Sequence, residues 1–494
     1  MSWTGPDCCG GTGEVDEDNV WRLAAQRVPV PALQRRAGDD RRNCFAAVGL
    51  SCGQLARFLS PWDLIEARAG RVGGMTNNYS SPGHVLRRGG WLPENHDDLE
   101  DWITGHRERV EERGTDVPLH PVIVEFQELI ASDPVVRLYM TEMIEQVPKS
   151  KPYRKRHLTS VDQMLRLINE ILTMAPEFSE GGMVTTPLTA ILDWTMGTEA
   201  GFAAHRDPRI IAMFRKILNT WCEFLTSEES LYVLNDSPSG WMSEHARQVV
   251  GMDDYQHDPL AKHWGFTSWN DFFARRLTST SRPVAAPTDD KVIVSACEST
   301  PYKISTDVQR QSRFWVKNQP YSLDDLLARD ESVDQFVGGT VYQAFLSALN
   351  YHRWHAPVAG TIVRAYLKDG TYFSEAESEG ADAVDPTLSQ SYLAHVAARA
   401  IILIQADDPV IGLMAVIPVG MIEVSSCVIA PEIVPGRHVN KGDELGYFQF
   451  GGSTECLVFR PGVIDQFALT ALPQPQNPKT PPVRVRSGIA TAKS

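Results

Sequence analysis

Phe450-Gly451-Gly452-Ser453-Thr454 is the stretch on which the reading of this chain turns. Upstream stands a run with two histidines, Tyr351-His352-Arg353-Trp354-His355-Ala356-Pro357. A Gly-Ser bond facing a histidine can cut itself. The serine hydroxyl attacks the preceding carbonyl, and glycine there puts no side chain in the way. The ester formed by this N-to-O acyl shift eliminates across the serine α and β carbons. Hydrolysis of the resulting dehydroalanine leaves a pyruvoyl group capping a new chain at position 453. That ketone is an electron sink. Gly-Ser-Thr alone is also the composition of a polar hairpin tip, so the surroundings carry the weight.

Val439-Asn440-Lys441-Gly442-Asp443-Glu444-Leu445-Gly446-Tyr447-Phe448-Gln449 leads straight into the motif. Further upstream come Trp269-Asn270-Asp271-Phe272-Phe273-Ala274-Arg275-Arg276-Leu277 and Ser281-Arg282-Pro283. Together these motifs, in this order, resemble the phosphatidylserine decarboxylase family, whose maturation motif is usually Leu-Gly-Ser-Thr and whose histidine motif reads Tyr-His-Arg-x-His. Within that superfamily the chain most resembles the soluble fungal pyruvoyl-type L-tryptophan decarboxylases. The likeness rests on Tyr351 to Gly360, Ala296-Cys297-Glu298-Ser299, Gly420-Met421-Ile422-Glu423 and Phe450 to Ser453, with a helical segment around Phe126 to Val136. It runs from about residue 90 to about residue 470.

The resemblance implies a carboxy-lyase that cleaves itself between Gly452 and Ser453 and carries a covalent pyruvoyl group derived from Ser453. It implies no pyridoxal phosphate and no metal. The substrate amine would form a Schiff base with the ketone, lose carbon dioxide, take up a proton at the α-carbon and leave as the amine. A free aromatic L-amino acid, tryptophan first, is the expected substrate. Phosphatidylserine, giving phosphatidylethanolamine, is the alternative. A lipoyl-like binding scaffold without chemistry is the reading from a different class.

Composition bounds these readings. The chain has 494 residues, enough for two or three domains. Its 43% apolar and 22% charged content is ordinary for a soluble globular protein. A net charge of -15 argues against nucleic acid and against electrostatic docking on an anionic membrane. The eight cysteines are scattered, and only Cys8-Cys9 are adjacent, so no zinc spacing stands out. Cys8, Cys9 and His157 lie too far apart to suggest a site. No Gly-x-Gly-x-x-Gly or phosphate loop is present to hold a nucleotide. The start, Met1-Ser2-Trp3-Thr4-Gly5-Pro6-Asp7, has no basic or apolar signal region, and no apolar run reads as a membrane helix. A cytoplasmic protein without stable membrane anchoring is expected, its partners being the amino-acid substrate and its own cleaved C-terminal chain.

The expected fold class is α+β: a helical N-terminal domain followed by a β-rich phosphatidylserine-decarboxylase-like catalytic domain with a lipoyl-like sandwich. Residues 1–90 are Gly- and Arg-rich with weak periodicity and read as a variable, disordered extension. Residues 91–262 read as the helical domain. Asp133-Pro134 and Asp207-Pro208 each pair an N-cap with proline at the first helical position. The first opens a helix to about Val147. After the second, Ile210, Ile211, Phe214, Ile217, Leu218, Trp221 and Leu225 keep helical spacing and form a core stripe. Lys149 to Arg156 is a basic connector. Residues 263–472 read as the catalytic domain, with short β runs such as Lys291 to Val294, Gly360 to Val363 and Ile401 to Ile404. Ala398 to Val424, interrupted by Asp407-Asp408-Pro409, predicts two buried strands. His355 to Val363 and Gly436 to Phe448 are the halves of the expected sandwich. Residues 473–494, rich in proline at their start, read as a flexible tail.

Four residues make up the expected site. Ser453 is the cleavage nucleophile and pyruvoyl precursor. His355 matches the family histidine that activates the serine; its near-neutral pKa suits it to take and return a proton. His352 lies three residues earlier. On a strand it faces the opposite side, so both histidines reach one site only where the chain bends, and Ala356-Pro357 is a place for that. The resemblance implies a role for His352 in decarboxylation. Glu298 is the candidate carboxylate behind the histidine, fixing its tautomer as in serine hydrolases. Here the chain departs from the family, which usually reads Ala-Asp-Gly where this chain has Ala296-Cys297-Glu298. Cys297 reads as a small buried residue, not a nucleophile.

Overall fold

Asp-Pro pairs set the helical half in motion. The computed structural model describes residues 92–93, 96–114, 117–149, 158–179, 184–312, 320–374, 389–423, 426–450, 453–474 and 480–494. The expected extension over residues 1–90 with its Cys8-Cys9 pair, His157, most of the basic connector, and Gly451 and Gly452 lie outside them. Helices α1 (His96–Arg113), α2 (Pro121–Ser132), α3 (Pro134–Glu145) and α4 (Val161–Ile171) come first. Then follow α5 (Pro187–Met196), α6 (Glu199–Ala204), α7 (Pro208–Leu225) and α8 (Glu244–Val250). Asp133 Oδ1 accepts from the amides of Val135 (2.9 Å) and Val136 (3.0 Å), as an N-cap before Pro134 should. Asp207 does the same for Arg209 at the head of α7. The stripe on α7 is buried at Ile210, Phe214, Ile217, Leu218, Trp221 and Leu225, while Ile211 is half-buried at its edge.

The short helix α9 (Trp269–Phe273) closes this half, and strands follow. They are β1 (Val292–Val294), β2 (Thr300–Val308), β3 (Gly339–Leu346), β4 (Arg353–His355), β5 (Gly360–Lys368), β6 (Arg399–Ala406) and β7 (Leu413–Gly420). After these come β8 (Cys427–Ile429), β9 (His438–Val439), β10 (Glu444–Phe448), β11 (Ser453–Phe459), β12 (Ile464–Phe467) and β13 (Gly488–Ala492). Helix α10 (Leu323–Leu326) lies between β2 and β3, and α11 (Gln390–Val396) between β5 and β6. The main sheet has seven strands in the order β2-β3-β11-β7-β6-β5-β9, each neighbouring pair antiparallel. Two three-stranded sheets, β4-β10-β8 and β1-β13-β12, complete it.

The main sheet is covered on both faces. On β6, Ile401 and Leu403 join the core shared with the helices, and Ile402 and Ile404 join a second core on the other side. Residues buried on both faces lose the polar alternation of a half-exposed strand, which is why Ala400 to Ile404 and Leu413 to Val419 each read as an unbroken apolar run. The two halves of the expected sandwich do meet, in two separate pairings: β4 with β10, and β5 with β9. Among the described residues no helix is long and apolar enough to cross a membrane.

The C-terminal end differs from the expectation of a flexible tail. Strand β13 pairs with both β1 and β12, and Val483 bridges Ser299. Val483, Val485 and Ile489 are buried. The alternation Val483-Arg484-Val485-Arg486 is a half-buried strand signal, masked at sequence level by the prolines just before it.

Candidate active site

Ser453 opens β11, paired on one side with Leu346 of β3 and on the other with Gly420 of β7. A residue hydrogen-bonded into the middle of a seven-stranded sheet has little freedom to move. Its side chain is 1% exposed, and its Oγ has no hydrogen-bond partner among the described residues. A buried hydroxyl without a partner costs stability, so its presence calls for an explanation other than folding.

Strand alternation puts Glu455 on the same face as Ser453. Glu455 Oε1 accepts from Ser299 Oγ at 2.7 Å, and Oε2 has no partner among the described residues. Burial pushes this carboxyl up to about 7, against hydrogen bonds from Ser299 and Cys297. Cys297 itself is fully buried, and burial holds its thiol well above the usual range, which suits a packing residue.

His355 ends β4, completely enclosed. Its Nδ1 lies 2.9 Å from the Gly442 carbonyl and 3.2 Å from Arg486 Nη2. Its Nε2 lies 2.9 Å from Tyr351 Oη, and the two rings stack. Burial, then the positive charge of Arg486, lowers its pKa to about 3, so it is neutral across the physiological range. Gly442 occupies the turn before β10 with φ +85, and a Cβ there would sit 2.5 Å from Val284 Cγ2. Glycine is required both by the backbone angle and by the space.

His352 faces elsewhere, as strand geometry predicts. Its ring stacks on Phe273 with centroids 4.1 Å apart, and burial with the nearby Arg275 charge lowers its pKa to about 3. Phe273 in turn packs on Phe450 of the motif (5.2 Å), which also meets Trp221 (5.1 Å) and Trp269 (5.8 Å). The helical half therefore supports the residue three places before Ser453 with an aromatic cluster.

Glu298 is placed differently from the expectation. It does not stand behind an imidazole. Arg282 grips it with Nε on Oε2 (2.6 Å) and Nη2 on Oε1 (2.9 Å), the paired fork that a guanidinium offers a carboxylate. Arg282 also reaches Asp254 at 2.6 Å. With both oxygens engaged, Glu298 ties the Ser281-Arg282-Pro283 motif to the segment before β2. The acceptor at His355 Nδ1 is a backbone carbonyl.

Sequence reasoning missed Arg486, Gly442 and Glu423. Glu423, just beyond β7, is fully buried and accepts from the Thr189 amide at 2.8 Å at the start of α5. Burial raises its pKa strongly, opposed by the amides of Thr189 and Leu188. It links α5 to the loop that follows Gly420, the register partner of Ser453. A glutamate among apolar residues in Met421-Ile422-Glu423 was the available signal.

Two phosphatidylserine decarboxylase family models match, over residues 120–250 and 269–486. The chain is 38% identical over 324 residues to decarboxylase iboD of Amanita muscaria, covering 60% of this chain and 92% of that protein. It is 35% identical over 401 residues to the L-tryptophan decarboxylase of Psilocybe cubensis, covering 76% of this chain and 89% of that protein. With the L-tryptophan decarboxylase of Psilocybe cyanescens the identity is 35% over 404 residues, at the same coverage of 76% and 89%.

Proposed function

The chain belongs to the phosphatidylserine decarboxylase family, and from that premise we propose that it is a self-cleaving, pyruvoyl-dependent decarboxylase of a free aromatic L-amino acid, tryptophan first. One observation carries the reading: a buried serine hydroxyl without a hydrogen-bond partner among the described residues, at the head of a strand locked on both sides, directly after Gly451-Gly452. The residues fit a pyruvoyl group at 453. Once Oγ is spent in making it, the unsatisfied hydroxyl is gone, and β11 still holds the new chain end in the sheet.

When present, that group supplies an electron sink for the bond to the departing carboxylate. The protein's own groups do the rest. His355 Nε2 is the proton acceptor for the Ser453 hydroxyl, and Tyr351 holds it meanwhile. Pairing of β11 with β3 and β7 keeps position 453 in place after scission. His352 acts in the decarboxylation half, from the aromatic cluster around Phe450. Enclosure of both histidines excludes water and keeps them neutral. The aromatic substrate is supported by the tryptophan decarboxylases among the relatives and by the rings packed about Phe450.

Intact mass of the purified protein tests the first part. Two chains divided at Gly452–Ser453, the smaller blocked to Edman sequencing, are expected; a single uncut chain in active preparations overturns it. Carbon dioxide release from a panel of free amino acids and from phosphatidylserine tests the second. Turnover of phosphatidylserine with none of tryptophan, tyrosine or phenylalanine overturns the substrate and leaves the cleavage standing.

A further inference from the structure

The segment that looked like a tail delivers a charge into the site. Arg486 is pinned through its backbone on both sides: its amide donates to Ser295 and its carbonyl accepts from Ala285, each at 2.9 Å. Its φ is +68, a left-handed angle that an arginine does not adopt for its own sake. The result is a guanidinium whose Nε donates to the Gly442 carbonyl at 3.0 Å and whose Nη2 stands 3.2 Å from His355 Nδ1. Among the described residues no carboxylate pairs with it.

Two contacts meet at His355 Nδ1 and ask for different tautomers, Arg486 Nη2 at 3.2 Å for a lone pair and the Gly442 carbonyl at 2.9 Å for a proton. The shorter carbonyl contact is the stronger. A carbonyl only accepts, so the 2.9 Å contact from His355 Nδ1 to the Gly442 carbonyl requires the proton on Nδ1. Arg486 also only donates. Its Nη2 therefore abuts the Nδ1–H donor-to-donor, and both groups share one carbonyl. The lone pair is left on Nε2, where the Tyr351 hydroxyl donates to it. A second proton on the ring would place two cations side by side with no anion between them. The other charges near this ring lead elsewhere. Arg353 on the same strand is paired with Glu444 of β10 at 2.6 Å. Asp443, in the turn, turns its carboxylate to Asn440. Tyr255, against Tyr351, is a neutral phenol.

We infer that Arg486 is a positioning residue for self-cleavage: its Nε fixes the Gly442 carbonyl, which holds His355 as the Nδ1–H tautomer with its lone pair on Nε2, and its charge bars a second proton. This rests on the reading in which His355 activates Ser453. Its consequence is that cleavage keeps its rate into mildly acid conditions. It also means that the small chain formed by cleavage retains a grip on the base left behind in the large chain.

The test has two arms. In the first, self-cleavage of freshly translated protein is timed on gels from pH 4.5 to 8. The parent should hold its rate to the acid end of the range. Arg486→Gln keeps a donor for the Gly442 carbonyl without the charge, and its acid limb should move up by about 1 pH unit or more. Arg486→Lys restores the charge and should stay close to the parent profile. In the second arm, ¹⁵N-histidine spectra are recorded on the uncut Ser453→Ala protein, with His355→Gln assigning the signal. The parent should show a neutral Nδ1–H ring throughout; adding Arg486→Gln should let that ring titrate at higher pH. Identical titration and identical acid limbs with and without Arg486 overturn the inference. The spectra need no cleavage, so a protein that never cuts would sink the Ser453 reading while the ring signal still decides the role of Arg486.

Discussion

The two faces of β11 are built from the same strand and follow opposite rules. Facing the helices, Thr454 Oγ1 donates to the Ala344 carbonyl at 2.9 Å and accepts from Gln343 Nε2 at 3.2 Å, and Gln343 takes a further bond from Tyr321 at 2.5 Å. Facing the second core, Ser453 Oγ and Glu455 Oε2 find no partner among the described residues. The backbone pairing of the three residues is continuous with β3 and β7. The difference therefore lies in the side chains. One face spends its polar groups on structure; the other carries buried polar atoms without partners among the described residues, which folding alone does not explain.

The largest effect should come from the reactive face. Ser453→Ala leaves no hydroxyl to attack, so the chain should stay whole on a gel and release no carbon dioxide from tryptophan. Cleavage in that variant would place the nucleophile elsewhere and break the contrast outright.

Next come the two histidines, whose surroundings divide the work. His355→Ala should block cleavage, because a serine hydroxyl without a base is a poor nucleophile. His352→Ala should cleave and then decarboxylate poorly, by a factor on the order of 10² or more. A gel run beside an activity assay separates the two. An uncut His352→Ala beside a normally cut His355→Ala would reverse the roles.

Much of this was legible in sequence, and the gaps have physical causes. Asp133-Pro134 and Asp207-Pro208 announced their helices because capping is local chemistry. Ser453 and the two histidines stood out through motif spacing. Glu298 was misplaced because a carboxylate next to a motif looks the same whether it meets an imidazole or a guanidinium. Only the fold shows Arg282 arriving first. The role of Arg486 was illegible because its contact to His355 spans 131 positions and depends on a strand hidden behind a proline-rich stretch.

Glu455 offers a subtler test of the unsatisfied face, through pH. Its pKa is raised from 4.5 to about 7 in the fold, chiefly by burial. Between those values the folded chain keeps a proton that the unfolded chain has lost. Stability should therefore fall as pH rises through that window and stay lowered above it. The loss is on the order of 3 kcal/mol. His205, His352 and His355, each lowered to about 3, act with the opposite sign between about 3 and 6.5. They are common to both proteins compared, so subtraction removes them. In the uncut Ser453→Ala background, Glu455→Gln should gain on its parent in urea midpoint as pH is raised from 4.5 to 7. A constant difference between the two would mean that the carboxyl titrates normally.

The smallest effect belongs to the satisfied face. Thr454→Val keeps the shape of the side chain and removes its hydroxyl. The Ala344 carbonyl loses one donor, while Gln343 Nε2 keeps its bond to the Gln390 carbonyl at 3.1 Å. The cost should be about 1–2 kcal/mol, the usual figure for one buried hydrogen bond with a partner left behind. Measured by urea unfolding in the uncut background, this lowers the midpoint. In the cleavable chain, scission between Gly452 and its neighbour should proceed at close to the parent rate, because the lost hydroxyl lies on the strand face opposite the Ser453 side chain. The pair of outcomes sharpens the contrast: one position stops the chemistry, and the next weakens the fold and spares the cut. If Thr454→Val instead halts cleavage while leaving the urea midpoint alone, the helix-facing side of β11 takes part in the reaction and the division between the two faces fails.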